Sequence, residues 1–164
     1  GIDSPIVFGQ SFGGMVAMHY AARYPKSVSK LILSSTAAQF RLDETKKMMC
    51  KLVGDYAAEV AYQFFSKPSQ AAYDTYGKVC LPLYSNPNAR AAGNFRDRAI
   101  ERPEVALHFF SDEMVRMDMR SEIASITCPT LVVGGTIDPV TPPICSQVIA
   151  DAIGKNASLK LFEA

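Results

Sequence analysis

The chain has 164 residues, 48% hydrophobic and 20% charged, proportions that suit a globular domain with a real core and exclude global disorder. Its 17 basic and 16 acidic residues leave a net charge of +1, so nothing points to nucleic acid or to an anionic membrane surface as a partner. Cys50, Cys80, Cys128 and Cys145 are scattered without a C-x-x-C pair beside only two histidines, which assembles no zinc set; no metal or other cofactor is expected.

The same cysteines read as reduced, partly buried thiols, which favours a reducing, cytoplasmic compartment. No apolar run reaches the length of a bilayer span.

Pro5-Ile6-Val7-Phe8 is a short apolar run ending at Gly9 and predicts a buried strand. After the turn Gly9 to Gly14, residues Met15 to Tyr24 read as a helix stopped by Pro25, which cannot continue the ladder. Leu31-Ile32-Leu33, within Val28 to Ser35, predicts a second strand, and strand, helix, strand in this order implies a parallel βαβ unit.

From about Phe40 to Arg120 the chain is rich in Ala, Met, Tyr, Phe, Lys and Glu. Breaks fall at Lys67-Pro68-Ser69, at Leu81 to Ala89 and at Arg102-Pro103. Strand character returns at Pro129 to Gly135, Pro142-Pro143 open a helix to about Ile153, and Leu159 to Phe162 begin another strand. The middle stretch far exceeds the dozen or so residues that a parallel crossover needs, so it is expected to be an inserted helical lid. The expected division is a core segment over 1–39, a lid over 40–120 and a second core segment over 121–164.

Gly9-Gln10-Ser11-Phe12-Gly13 is a G-x-S-x-G motif set between a predicted strand and a predicted helix. On such a turn the serine hydroxyl stands clear of the sheet as a nucleophile. The flanking glycines leave room for the backbone, and the N–H of Phe12 faces a developing oxyanion. A phosphate loop is the competing reading, with Gly9, Ser11 and Gly14 at the positions of G-x-G-x-x-G. Serine at the middle position removes the glycine that admits a pyrophosphate, which weakens it.

Asp138 follows the carboxyl end of a predicted strand in Gly134-Gly135-Thr136-Ile137-Asp138-Pro139, where functional side chains of parallel sheets collect. It suits a carboxylate that orients a histidine; a plain turn aspartate before proline is the alternative.

With these residues in hand, the chain resembles the α/β-hydrolase family. SPIVFGQSFGGMVAMHYAARYPKSVSKLILSS and ITCPTLVVGGTIDPVTPP are similar to the elbow and acid-bearing strand of proline iminopeptidases and related serine hydrolases. The resemblance implies a partial α/β-hydrolase fold, a mostly parallel sheet flanked by helices with an inserted lid. It implies Ser11 as nucleophile, Asp138 as triad acid and the Phe12 N–H as one oxyanion donor. The family order also places a histidine after the acid, and residues 139–164 contain none. The second oxyanion donor belongs to a loop that would precede Gly1. The expectation is therefore a fragment whose base and second donor lie outside it, with little activity of its own.

Neither histidine is expected to substitute: His19 lies two turns along the helix after Ser11, and His108 belongs to the lid or its return. The lid aromatics and methionines, Tyr62, Phe64, Phe65, Tyr73, Tyr76, Met114 and Met117, suit a helical core better than a pocket roof. For an aminopeptidase, Glu104, Asp112 and Glu113 are candidates to bind a substrate ammonium. The expected function is acyl transfer on a small-molecule or short-peptide substrate, with an esterase or lactonase as the variant within that class. The alternative is a catalytically incomplete chain that binds a ligand or partner.

Overall fold

The computed structural model describes residues 2–84, 100 and 102–163. Four strands, β1 (Ile6–Gln10), β2 (Lys30–Ser34), β3 (Thr130–Gly135) and β4 (Ala157–Phe162), form one sheet in the order β1-β2-β3-β4. Every neighbouring pair is parallel, as connections through helices require. Helix α1 (Phe12–Arg23) links β1 to β2, and α8 (Pro143–Ile153) links β3 to β4.

Register across the sheet brings Gly9, Leu33, Val132 and Leu159 into one row. On this face Leu31, Leu33 and Val132 are buried with Ala17, Met18 and Ala21 of α1, Ile149 and Ile153 of α8, and Ile123. The opposite face carries Phe8, Ile32 and Leu131 in register. Phe8 is 61% exposed there, although parallel sheets are ordinarily covered on both faces.

Between β2 and β3 the described chain is helical: α2 (Leu42–Val53), α3 (Asp55–Ser66), α4 (Gln70–Val79), α5 (Pro103–His108), α6 (Met114–Arg116) and α7 (Arg120–Ile123). Residues Phe109–Glu113 make a π turn between α5 and α6. A second apolar cluster holds this segment together, with Met49, Phe64, Phe65, Tyr76, Cys80 and Met114 buried. Phe64 meets the rings of Phe65, Tyr73, Tyr76 and Phe110 at 4.7–5.9 Å between centroids. The aromatics thus serve chiefly as core. The segment leaves and rejoins the sheet region at adjacent points, since the Met119 N–H donates to the Ala38 carbonyl at 2.9 Å and Gln39 bridges Asp118. The part of the Leu81 to Ala89 break beyond residue 84 lies outside the described residues.

Boundaries differ from expectation at β1, α1 and β4. Strand β1 runs on through Gly9 to Gln10, which pair with Leu33 and Ser34, and its Ile6 and Phe8 are exposed where a buried strand was expected. Helix α1 begins at Phe12 rather than Met15, because Gly13 and Gly14 belong to its first turn. Strand β4 begins at Ala157, which pairs with Thr130, two residues ahead of Leu159.

Candidate functional site

The ends of β1 and β3 set the site. Ser11 follows the last residue of β1, exposed Gln10, and stands at φ 50° and ψ −125°. A non-glycine residue held there is strained by about 1–3 kcal/mol. Hydrogen bonds hold it on both sides: the Ser11 N–H donates to the Ser34 carbonyl at 3.0 Å, while its own carbonyl accepts from the Gly14 N–H at 2.9 Å, the Met15 N–H at 3.3 Å and the buried Thr36 hydroxyl at 2.7 Å.

A serine preceding a helix ordinarily turns its hydroxyl onto the helix amides. Ser11 makes no such capping bond and is exposed. Its hydroxyl is therefore free of the usual local partner, beside the orphan amides of the first turn of α1, where Phe12 contributes an N–H.

The glycines around it differ in what they do. A methyl group on Gly9 would lie 2.5 Å from the Gly13 carbonyl oxygen and 2.8 Å from Ala17 Cβ, and one on Gly14 would lie 2.6 Å from Thr36. Nothing lies within 4 Å of a methyl group on Gly13. Space around the turn is thus needed at Gly9 and Gly14, and not at Gly13.

Asp138 lies in the turn after β3, partly buried. Its Oδ1 accepts from the Val140 N–H at 2.9 Å and the Thr141 N–H at 2.8 Å, and its Oδ2 from the Thr141 hydroxyl at 2.9 Å. A carboxylate has roughly four acceptor sites, so the carboxylate is fixed in direction while Oδ2 retains capacity for another donor. The Thr136 N–H donates to the Phe162 carbonyl at 2.8 Å, so β4 ends beside the start of this turn. Strand β2 separates β1 from β3, and both turns emerge at the carboxyl edge of the sheet.

His19 sits in α1 with Nδ1 2.6 Å from Glu122 of α7. Eight residues of helix place it about 12 Å along the axis from Ser11, outside proton-transfer reach. His108 is exposed and does not line the adjacent cleft. That open cleft, of about 350 Å³, is lined by Phe109, Glu113, Arg116 and Met117, and Phe109 packs on Phe12.

Of the three candidate acids, Asp112 is paired with Arg116, and Glu104 lies 3.8 Å from Arg102 with both exposed. Glu113 lines the cleft and forms no ion pair among the described residues. No group of residues suited to hold a metal ion occurs among the described residues, and no described helix is long and apolar enough to cross a membrane.

The buried hydroxyls of Thr36 and Thr141 escaped sequence reasoning. The fold alone brings Thr36 to Ser11, 25 residues away, whereas Thr141 meets Asp138 within one turn, in an Asp-Pro-Val-Thr stretch whose spacing could have signalled it.

Comparison with known proteins bears on the family and the fold. Residues 3–164 match the family model described as serine aminopeptidase, S33. A proline iminopeptidase of Pestalotiopsis fici is 32% identical over 165 residues, covering 96% of this chain and 58% of that protein. A pimeloyl-[acyl-carrier protein] methyl ester esterase of Neisseria meningitidis serogroup B is 31% identical over 150 residues, covering 87% of this chain and 54% of that protein. Among solved structures, an alpha/beta fold family hydrolase from Bacillus anthracis superimposes with a TM-score of 0.61 at 22% identity, covering 99% of this chain and 60% of that one. The chain therefore spans little more than half the length of the relatives it matches.

Proposed function

The chain belongs to the α/β-hydrolase family whose model is described as serine aminopeptidase, S33, and on that premise we propose that it carries the nucleophile and acid of a serine hydrolase. The observation that carries this reading is Ser11, strained at a strand-to-helix junction with its hydroxyl free of a capping bond. Backbone strain of this kind persists where the surroundings over-determine it, and such places cluster at active sites.

In the proposed reaction the Ser11 Oγ attacks an ester or amide carbonyl carbon as a histidine takes its proton. The Phe12 N–H donates to the oxyanion of the tetrahedral intermediate, and the histidine returns the proton to the leaving group. Water, deprotonated by the same histidine, then releases the acyl group and restores Ser11. Asp138 orients that histidine through Oδ2. Neither His19 nor His108 takes the role, and a histidine beyond residue 164 is the proposed base. The position of Phe162 beside Thr136 supports a path from β4 toward Asp138.

The described helices between residues 40 and 120 act as the proposed lid, with the cleft at Phe109 as the acyl or leaving-group site. The carboxylate of Glu113 in that cleft favours a small-molecule or short-peptide substrate bearing an ammonium group, as an aminopeptidase requires. The second reading, an esterase, draws on the esterase relatives and the apolar walls Phe109 and Met117.

The test compares a prolyl amide with a short acyl ester on the full gene product and its Glu113→Gln variant. A raised KM for the amide alone supports the aminopeptidase reading. Turnover of the ester only, indifferent to Glu113→Gln, supports the esterase.

A further inference from the structure

Thr45, in α2, is 1% exposed, and its hydroxyl donates to the Val140 carbonyl at 2.8 Å. A hydroxyl inside a helix ordinarily bonds back to a carbonyl one turn earlier. Two hydroxyls of the same helical segment do so: Ser66 to Tyr62 at 2.6 Å and Thr75 to Ala71 at 2.8 Å. Thr45 departs from this habit. Its backbone N–H reaches the Arg41 carbonyl at 3.0 Å, while its side chain crosses to the turn after β3.

Val140 joins that turn to the helical segment. Its N–H donates to Asp138 Oδ1, and its side chain packs against the apolar cluster of the helical segment. The peptide units flanking Val140 are thereby held from two directions, by the Asp138 carboxylate at the amide and by Thr45 at the carbonyl. Both hydrogen bonds are part-buried, so a carbonyl deprived of Thr45 loses a partner that solvent replaces poorly.

We infer that Thr45 is a positioning residue for Asp138, tying the seating of α2 on the core to the direction of the carboxylate. This rests on the reading of Asp138 as the triad acid. Displacement of α2 withdraws the donor from Val140, loosens the amides that hold Oδ1, and lets the carboxylate turn from its partner. A seated lid and an aligned acid are then one state of the protein.

The test uses Thr45→Val, which removes the hydroxyl at nearly constant shape, and Thr45→Ser, which keeps it. Amide hydrogen exchange at Val140 and Thr141 is expected to quicken about tenfold in Thr45→Val, the loss of roughly one net hydrogen bond, and to be restored in Thr45→Ser. The Ala72 amide, bonded to Ser69 on α4, is expected to keep its rate. Unchanged exchange at Val140 and Thr141 overturns the inference. So does quickening shared with Ala72 that Thr45→Ser fails to restore, because that pattern reports packing alone.

The full gene product supplies the functional arm. Thr45→Val is expected to lower kcat with little change in KM, with Thr45→Ser recovering it. If Asp138→Asn lowers kcat and Thr45→Val does not, the positioning role fails and the acid reading stands. If Asp138→Asn leaves kcat unchanged, the acid reading fails and takes the positioning role with it, whatever the exchange rates show.

Discussion

The ring of Phe12 meets the ring of Phe109 edge-on, with 4.8 Å between centroids. The residue after Ser11 thereby touches the π turn that lines the cleft. One side chain joins the proposed oxyanion site to the proposed lid. Edge-to-face pairs contribute about 0.5–1.5 kcal/mol beyond their buried area. Phe109→Ala removes both this contact and a cleft wall. Steady-state kinetics of the full gene product should show a raised KM for substrates with apolar groups. An unchanged KM would place the substrate elsewhere.

The glycines of the elbow make a paired prediction about stability. Gly9→Ala forces a methyl group onto the backbone of Gly13 and Gly14, and overpacking of this kind costs about 1–3 kcal/mol. Gly13→Ala meets open space and gains from alanine's helix preference, about 1 kcal/mol relative to glycine. Denaturant unfolding should therefore rank Gly13→Ala at or above the natural chain and Gly9→Ala below it. Equal midpoints would show that the turn is looser than its geometry indicates.

Much of this arrangement was legible from residues alone. Pro5 to Phe8, Leu31 to Leu33 and Pro129 to Gly135 announce their strands through apolar runs bounded by glycine or proline. The order strand, G-x-S-x-G, helix locates Ser11 between β1 and α1. The start of α1 was misplaced because two adjacent glycines read as turn, whereas Gly14 serves close packing against Thr36. Thr141 lies three residues after Asp138 in the same turn, a local contact that short polar side chains favour. The roles of Thr36 and Thr45 were not legible, since each depends on a carbonyl brought near by tertiary structure. The same holds for choosing Glu113 from among three acids. Only the π turn shows which of them lines the cleft.

The thiols differ in reactivity for reasons of burial. Cys80, Cys128 and Cys145 are buried and Cys50 is exposed. Burial raises the Cys80 thiol from 9.0 to about 11, and burial together with the charge of Asp138 does the same for Cys145. A disulfide reagent at pH 8 should titrate Cys50 in the native protein and all four cysteines after denaturation. Because these native values lie above the unfolded one, the neutral thiols contribute stability below about pH 9 that is lost as pH rises through about 11. Thermal melts across that range should fall, and Cys145→Ala should flatten part of the slope. A slope unaffected by that substitution would show that Cys145 does not contribute to it.

Covalent labelling reads out whether Ser11 is the nucleophile. The full gene product is treated with a fluorophosphonate, digested, and the modified peptide identified by mass spectrometry. A single phosphonyl adduct is expected on Ser11, abolished in Ser11→Ala and slowed in Asp138→Asn. Labelling that persists undiminished in Ser11→Ala, or an adduct on another residue, would contradict it.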